Sequence, residues 1–101
     1  MNMLQGQIFI DMDELKDSRP LYVYIMHFLA EHGILGATSF KGHSGFGKNQ
    51  QIKRPTELFS FDEPPMLITF IDEEAKVRDA IAALRQEVTN AFITVHTIEK
   101  L

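Results

Sequence analysis

The chain has 101 residues, 45% hydrophobic and 24% charged, with no cysteine and a formal net charge of -4. That length suits one compact domain over residues 1–101 with a single core, and the composition excludes disordered, collagen-like, fibrous and disulfide-stapled classes. No apolar run approaches the ~20 residues that span a bilayer, and the start MNMLQGQIF lacks the pattern of a signal peptide, so a soluble cytoplasmic protein is expected.

From the N-terminus, Gln7 to Met12 alternates Ile8, Ile10 and Met12 with Gln7, Phe9 and Asp11, the period of two of a strand. The acidic stretch DMDELKDSR reads as a solvated turn. Asp11, Asp13, Glu14 and Asp17 lack the glycine and terminal glutamate of a calcium loop at the required offsets. Pro20 then opens a helix reaching about His32, with Leu21, Ile25, Phe28 and Leu29 on its apolar face and Gly33 placed as its C-terminal cap. ATSF, at 37–40, is a short strand, and a long loop follows it. TELFSF, at 56–61, has strand-like composition, and DEPP turns the chain because proline has no backbone donor. MLITFI, at 66–71, is the strongest strand signal. Asp72 is placed as a helix N-cap, Glu73 and Glu74 complement the positive helix end, and Val77, Ile81, Leu84 and Val88 recur at helical spacing, giving a helix from about Glu73 to Val88. Only Thr89 and Asn90 separate it from the last strand, AFITVHTI.

This order, βαββαβ, is the ferredoxin-like α+β arrangement: an antiparallel sheet with two helices on one face and a long loop between strands two and three. The other face needs cover. In MLITFI both alternate sets, Met66, Ile68, Phe70 and Leu67, Thr69, Ile71, are largely apolar, and AFITVHTI has no plainly solvated side. Oligomerisation through the open sheet face is therefore expected.

The long loop contains KGHSGFGKNQ, in which Gly42, Gly47 and Lys48 have phosphate-loop spacing. Asn49 stands where a magnesium-binding hydroxyl is required, and QQIKRPT lacks helical period and meets Pro55, so a Walker-type nucleotidase is not expected. Lys41, Lys48, Lys53 and Arg54 nevertheless make a local positive patch with no acid between them on an acidic chain. Such a patch points to a small anion or an acidic partner surface and away from nucleic acid. Gly42, Gly45 and Gly47 suit a backbone nest for an anion, and Phe46 between two glycines suits docking or stacking. His27 and His32 are five apart on one helix, and His43 and His96 lie in other elements, so no metal site is expected. No serine–histidine–carboxylate set or paired carboxylates can be placed together, so an enzyme is not expected.

RPLY at 19–22, GATSFKG at 36–42, GFG at 45–47 and FIDEEAKV at 70–77 resemble the short bacterial PII-like proteins of domain-of-unknown-function family 190, and the likeness runs from Ile8 to the C-terminus. The resemblance implies a trimer with the sheets facing inward, no catalytic activity, and a signal-transducing role in transport beside fluoride-channel-type membrane proteins. It assigns residues 42–54 as the partner-facing loop and places a ligand between subunits near the loop base. Lys41, Gly42, Gly45 and Gly47 are then the first ligand contacts, and Phe46, Lys48 and Arg54 complete the candidate set. An adenine nucleotide is the candidate ligand, a membrane transporter or channel the candidate partner, and no obligate cofactor is implied. PII proteins carry a second glycine-rich basic loop after helix two, where this chain has only Thr89 and Asn90. Tyr22 and Tyr24 fall in helix one, so the loop offers no tyrosine for uridylylation. The alternative class is a small trimeric metal-handling or catalytic protein using the same intersubunit cleft.

Overall fold

The computed structural model describes residues 2–43 and 65–101 of the chain. Their elements, in order, are β1 (Met3–Asp11), β2 (Leu15–Lys16), β3 (Arg19–Pro20), α1 (Leu21–Glu31), β4 (Ala37–Lys41), β5 (Pro65–Glu73), α2 (Glu74–Glu87) and β6 (Phe92–Ile98). β4, β5, β1 and β6 form one antiparallel sheet in that spatial order, with β1 between β5 and β6. This is the expected ferredoxin-like order, with both helices on one face.

Alternation explains which face they cover. Leu4, Ile8 and Ile10 of β1 and Met66, Ile68 and Phe70 of β5 are buried, and their odd-numbered neighbours are not. The buried side chains meet Leu21, Ile25 and Leu29 of α1 and Val77, Ala80 and Leu84 of α2 in one cluster. α1 ends in a Schellman motif: Ile34 N donates to Leu29 O at 3.1 Å, Gly33 N donates to Ala30 O at 3.2 Å, and Gly33 takes φ +80°, which suits glycine.

Three local expectations change. β1 begins at Met3, four residues before the predicted start, because Gly6 interrupts the apolar signal without interrupting pairing. Pro65 belongs to β5 and faces Asp11 in the register; as the first residue of the strand it forfeits no interior ladder bond. The acidic turn contains a two-residue hairpin loop, in which Asp17 and Ser18 both have positive φ (52° and 71°), as the twist of a tight hairpin demands. The strand-like segment TELFSF lies outside the described residues.

The small hairpin of β2 and β3 is tied to α2 through Lys16. Its Nζ donates to Glu87 O at 2.8 Å, lies 3.8 Å from Glu87 Oε2, and sits 5.6 Å from the centroid of the Tyr24 ring. A cation on the last carbonyls of a helix stabilises its negative end. Lys16→Ala is expected to cost about 1 kcal/mol, a fall in melting temperature of roughly 4–8 °C readable by circular dichroism. An unchanged melting temperature would make the clasp energetically silent.

Candidate functional site

The predicted loop leaves the sheet at one corner. Lys41 ends β4 opposite Met66, and the next residue, Gly42, donates its N–H to Pro65 O at 2.6 Å. A Cβ at Gly42 would lie 2.7 Å from Pro65 Cγ and 3.0 Å from Pro65 O, so glycine is what lets the two chain segments come this close. The Gly42 amide is thereby engaged in closing the loop base, and the Lys41 side chain is exposed beside it. The other candidate residues, Gly45, Phe46, Gly47, Lys48 and Arg54, lie outside the described residues.

The face without helices is arranged in rows, because cross-strand partners point the same way. Phe40 pairs with Leu67, Leu67 with Phe9, and Phe9 with Phe92, giving one apolar row across all four strands. Phe9 and Phe92 meet edge to face at 5.7 Å, and Phe9, Phe40 and Phe92 are 43%, 54% and 65% exposed. The next row is polar and uncharged: Thr38, Thr69, Gln7 and Thr94, with Thr94 Oγ1 donating to Gln7 Oε1 at 3.2 Å. Ile71, Gln5 and His96 form the row beyond it. Alternation within each strand announces a greasy second face, but the continuous row depends on register.

The histidines are dispersed. His32 stacks on Phe28 with ring centroids 4.0 Å apart and its Nδ1 lies 2.9 Å from Phe28 O, while His27, His43 and His96 are exposed on α1, after β4 and on β6. Among the described residues no three histidine or carboxylate side chains converge as metal ligands.

Asp72 departs from its expected role. It is a strand residue, one position before the N-cap Glu73, and its inward alternation with Phe70 buries it to 2% exposure. Its carboxylate accepts from Glu73 N at 2.7 Å and Leu35 N at 3.1 Å and lies 3.3 Å from Lys76 Nζ. Burial by itself raises its pKa, but these two amide bonds and Lys76 outweigh that, and the net displacement is below the ordinary carboxylate value.

A second cluster of cations escapes the sequence reading. Arg78 and Arg85 lie on α2 in one stripe with Ile81 and Ala82 and, with Ile93 and Val95 of β6, line a groove of about 280 Å³. The i, i+3, i+4, i+7 spacing of 78, 81, 82 and 85 was the available signal, but it needs β6 alongside to become a groove.

A four-stranded antiparallel sheet in this order, with both helices on one side, is the ferredoxin-like arrangement. The family model described as an uncharacterised conserved family, domain of unknown function 190, matches residues 3–100, and the chain belongs to that family. A UPF0166 protein of Aquifex aeolicus is 29% identical over 93 residues, covering 92% of this chain and 88% of that protein. Among solved structures, CPII, a nitrogen regulatory PII-like protein from Thiomonas intermedia K12 bound to ADP, AMP and bicarbonate, superposes with TM-score 0.70 at 16% identity, covering 97% of this chain and 87% of CPII. A PII-like signalling protein from Thermus thermophilus superposes with TM-score 0.63 at 11% identity, covering 97% and 86% of the two chains. At such identities the likeness is one of fold. Among the described residues no helix is long and apolar enough to cross a membrane.

Proposed function

We propose that this chain is a non-catalytic cytoplasmic signalling protein of the PII kind. Three copies close on one another through the open sheet face, an adenine nucleotide binds between copies near Lys41 and Gly42, and the basic loop of residues 42–54 contacts a membrane transport partner. The observation that carries this reading is the row Phe40, Leu67, Phe9 and Phe92 on the helix-free face. Apolar surface left in water costs about 25 cal/mol per Å², and a sister copy offers the same uncharged, apolar row to cover it. The family membership and the adenine nucleotides held by the similarly folded CPII support the choice of ligand. The nucleotide acts by favouring one loop arrangement over another, through contacts made in only one of them.

Light scattering at micromolar concentration should give three times the 11.6 kDa chain mass. Phe9→Glu, which puts a charge in the centre of the apolar row, should give single chains that keep their secondary structure. Calorimetry should find ADP or ATP bound by the wild type without turnover and not bound by Phe9→Glu, whose clefts are gone. Single chains in the wild type would sink the assembly, and product formation would sink the sensor in favour of an enzyme.

A further inference from the structure

The helix-free face carries carboxylates only toward its two ends. Asp11 of β1 closes one end, in the row beyond Phe9, and Glu73 of β5 closes the other, in the row with Met3 and Ile98. Between them lie the apolar row through Phe9, the neutral row of threonines through Gln7, and the row of Ile71, Gln5 and His96. Among the described residues His96 is the one titratable side chain in that span, and it is exposed in the single chain. Its near neighbours are neutral. Thr94 and Ile98 flank it along β6, Gln5 faces it from β1 with Met3 and Gln7 on the diagonals, and Ile71 of β5 completes the row. The charged groups stand further off: Glu73 is one row on and two strands away, Glu99 and Lys100 follow the end of β6, and Arg78 and Arg85 of α2 lie on the opposite side of the sheet.

We infer that the contact between copies extends across these rows and buries His96, so that the assembly excludes the protonated imidazole and comes apart in mild acid. The inference rests on the assembly proposed above and names how it is regulated. Area sets the extent. A stable interface takes about 800 Å² from each partner, whereas strands ~4.8 Å apart with same-face residues ~6.8 Å apart give a four-strand row a footprint of only roughly 130 Å². The contact must run beyond the apolar row, and desolvation sets the direction: away from the Asp11 carboxylate and across the neutral rows to His96. Charge then sets the response. A neutral imidazole enters such a contact as an ordinary polar group, but an imidazolium would enter it with no carboxylate in its row, and a sister copy presents the same neutral rows and its own His96. The assembly therefore holds fewer protons than the separate chains and weakens as pH falls through the imidazole range, near 6.5. The general trend is the reverse, since a chain with a pI of about 5.5 loses its net charge there and associates more readily.

Sedimentation velocity on the full chain, over a dilution series at about pH 7.5 and about pH 5.5, tests this, with circular dichroism to follow the fold at both. At the lower pH an imidazole is about nine-tenths protonated and must shed its proton to enter the assembly, a factor of about ten per copy and about a thousand in a three-copy association constant. The wild type should be assembled at the higher pH, and its half-assembly concentration should rise about thirtyfold at the lower one. His96→Gln, neutral throughout, should assemble equally at the two, and His96→Lys, charged throughout, should already be weakened at the higher pH. Because position 96 is exposed in the single chain, both variants should keep wild-type secondary structure. Equal assembly of the wild type at the two pH values, or full assembly of His96→Lys, would overturn the acid response and leave the assembly itself intact. An acid response retained in His96→Gln would belong to other groups, such as His27, His32 or His43, and would overturn the inference as well. Single wild-type chains at the higher pH would overturn both the inference and the assembly.

Discussion

Asp72→Ala should lower stability by about 2–4 kcal/mol, because it strips two backbone donors of a carboxylate acceptor that is itself 2% exposed. The donors are Leu35 N and Glu73 N, and the lost carboxylate also leaves Lys76 without its partner. For a chain of this size that is a fall in melting temperature of roughly 8–30 °C. The bond geometry says why the effect is large: one carboxylate ties the connection after α1 to the junction of β5 and α2, across 37 residues of sequence. Asp72→Asn keeps one acceptor oxygen and should cost less, about 1–2 kcal/mol. The pH dependence separates charge from shape. The folded-state pKa of Asp72 is lowered, so its stabilising contribution is complete above the unfolded value near 3.8 and is lost as pH falls through the folded value. Chemical denaturation should therefore show a constant gap between wild type and Asp72→Asn from neutral pH down to about 5, then a narrowing gap as acid protonates the wild-type carboxylate. A gap that did not change down to about pH 2 would mean that the charge contributes nothing.

Asp72 also marks a limit of sequence reading. A carboxylate just before an amphipathic run has the grammar of an N-cap, but its neighbours MLITFI decide its direction, and alternation with Ile68 and Phe70 turns it inward. The elements with a long, clean period were legible: both helices, β5 and β6 fall within a few residues of their expected limits. The Asp17–Ser18 hairpin was not, since tight turns of that kind ordinarily advertise themselves with Asn-Gly or Asp-Gly. For the site, Lys41 and Gly42 were legible as the loop base, while the apolar row was legible only strand by strand. That Phe9 stands between Leu67 and Phe92 is a fact of register, set by pairings 58 and 83 positions apart that no local pattern encodes. The groove beside β6 was hidden for the same reason, because its two walls are distant neighbours brought side by side.

Gly6→Ala is a contest between two effects of opposite sign. Gly6 has no positive φ, so its backbone does not need glycine, and alanine in a strand would ordinarily gain roughly 0.5–1 kcal/mol over glycine. Space decides otherwise. Gly6 faces Phe70 across the β1–β5 pair, and the Phe70 ring lies on the glycine: an added Cβ would fall 2.7 Å from Cε1 and 2.9 Å from Cε2, inside contact distance. Phe70 is 1% exposed and hemmed in by the core, so the ring cannot swing clear without moving its neighbours. Overpacking of this kind costs about 1–3 kcal/mol, which outweighs the strand preference, and Gly6→Ala should be destabilised in urea denaturation. Phe70→Leu alone should also be destabilising, by the cavity it opens. The double variant should be more stable than the sum of the two predicts, by about 1 kcal/mol or more, because leucine vacates the space that the alanine methyl needs. Strict additivity, or a Gly6→Ala variant more stable than wild type, would show that the ring yields freely. The absent side chain at position 6 would then have no packing role.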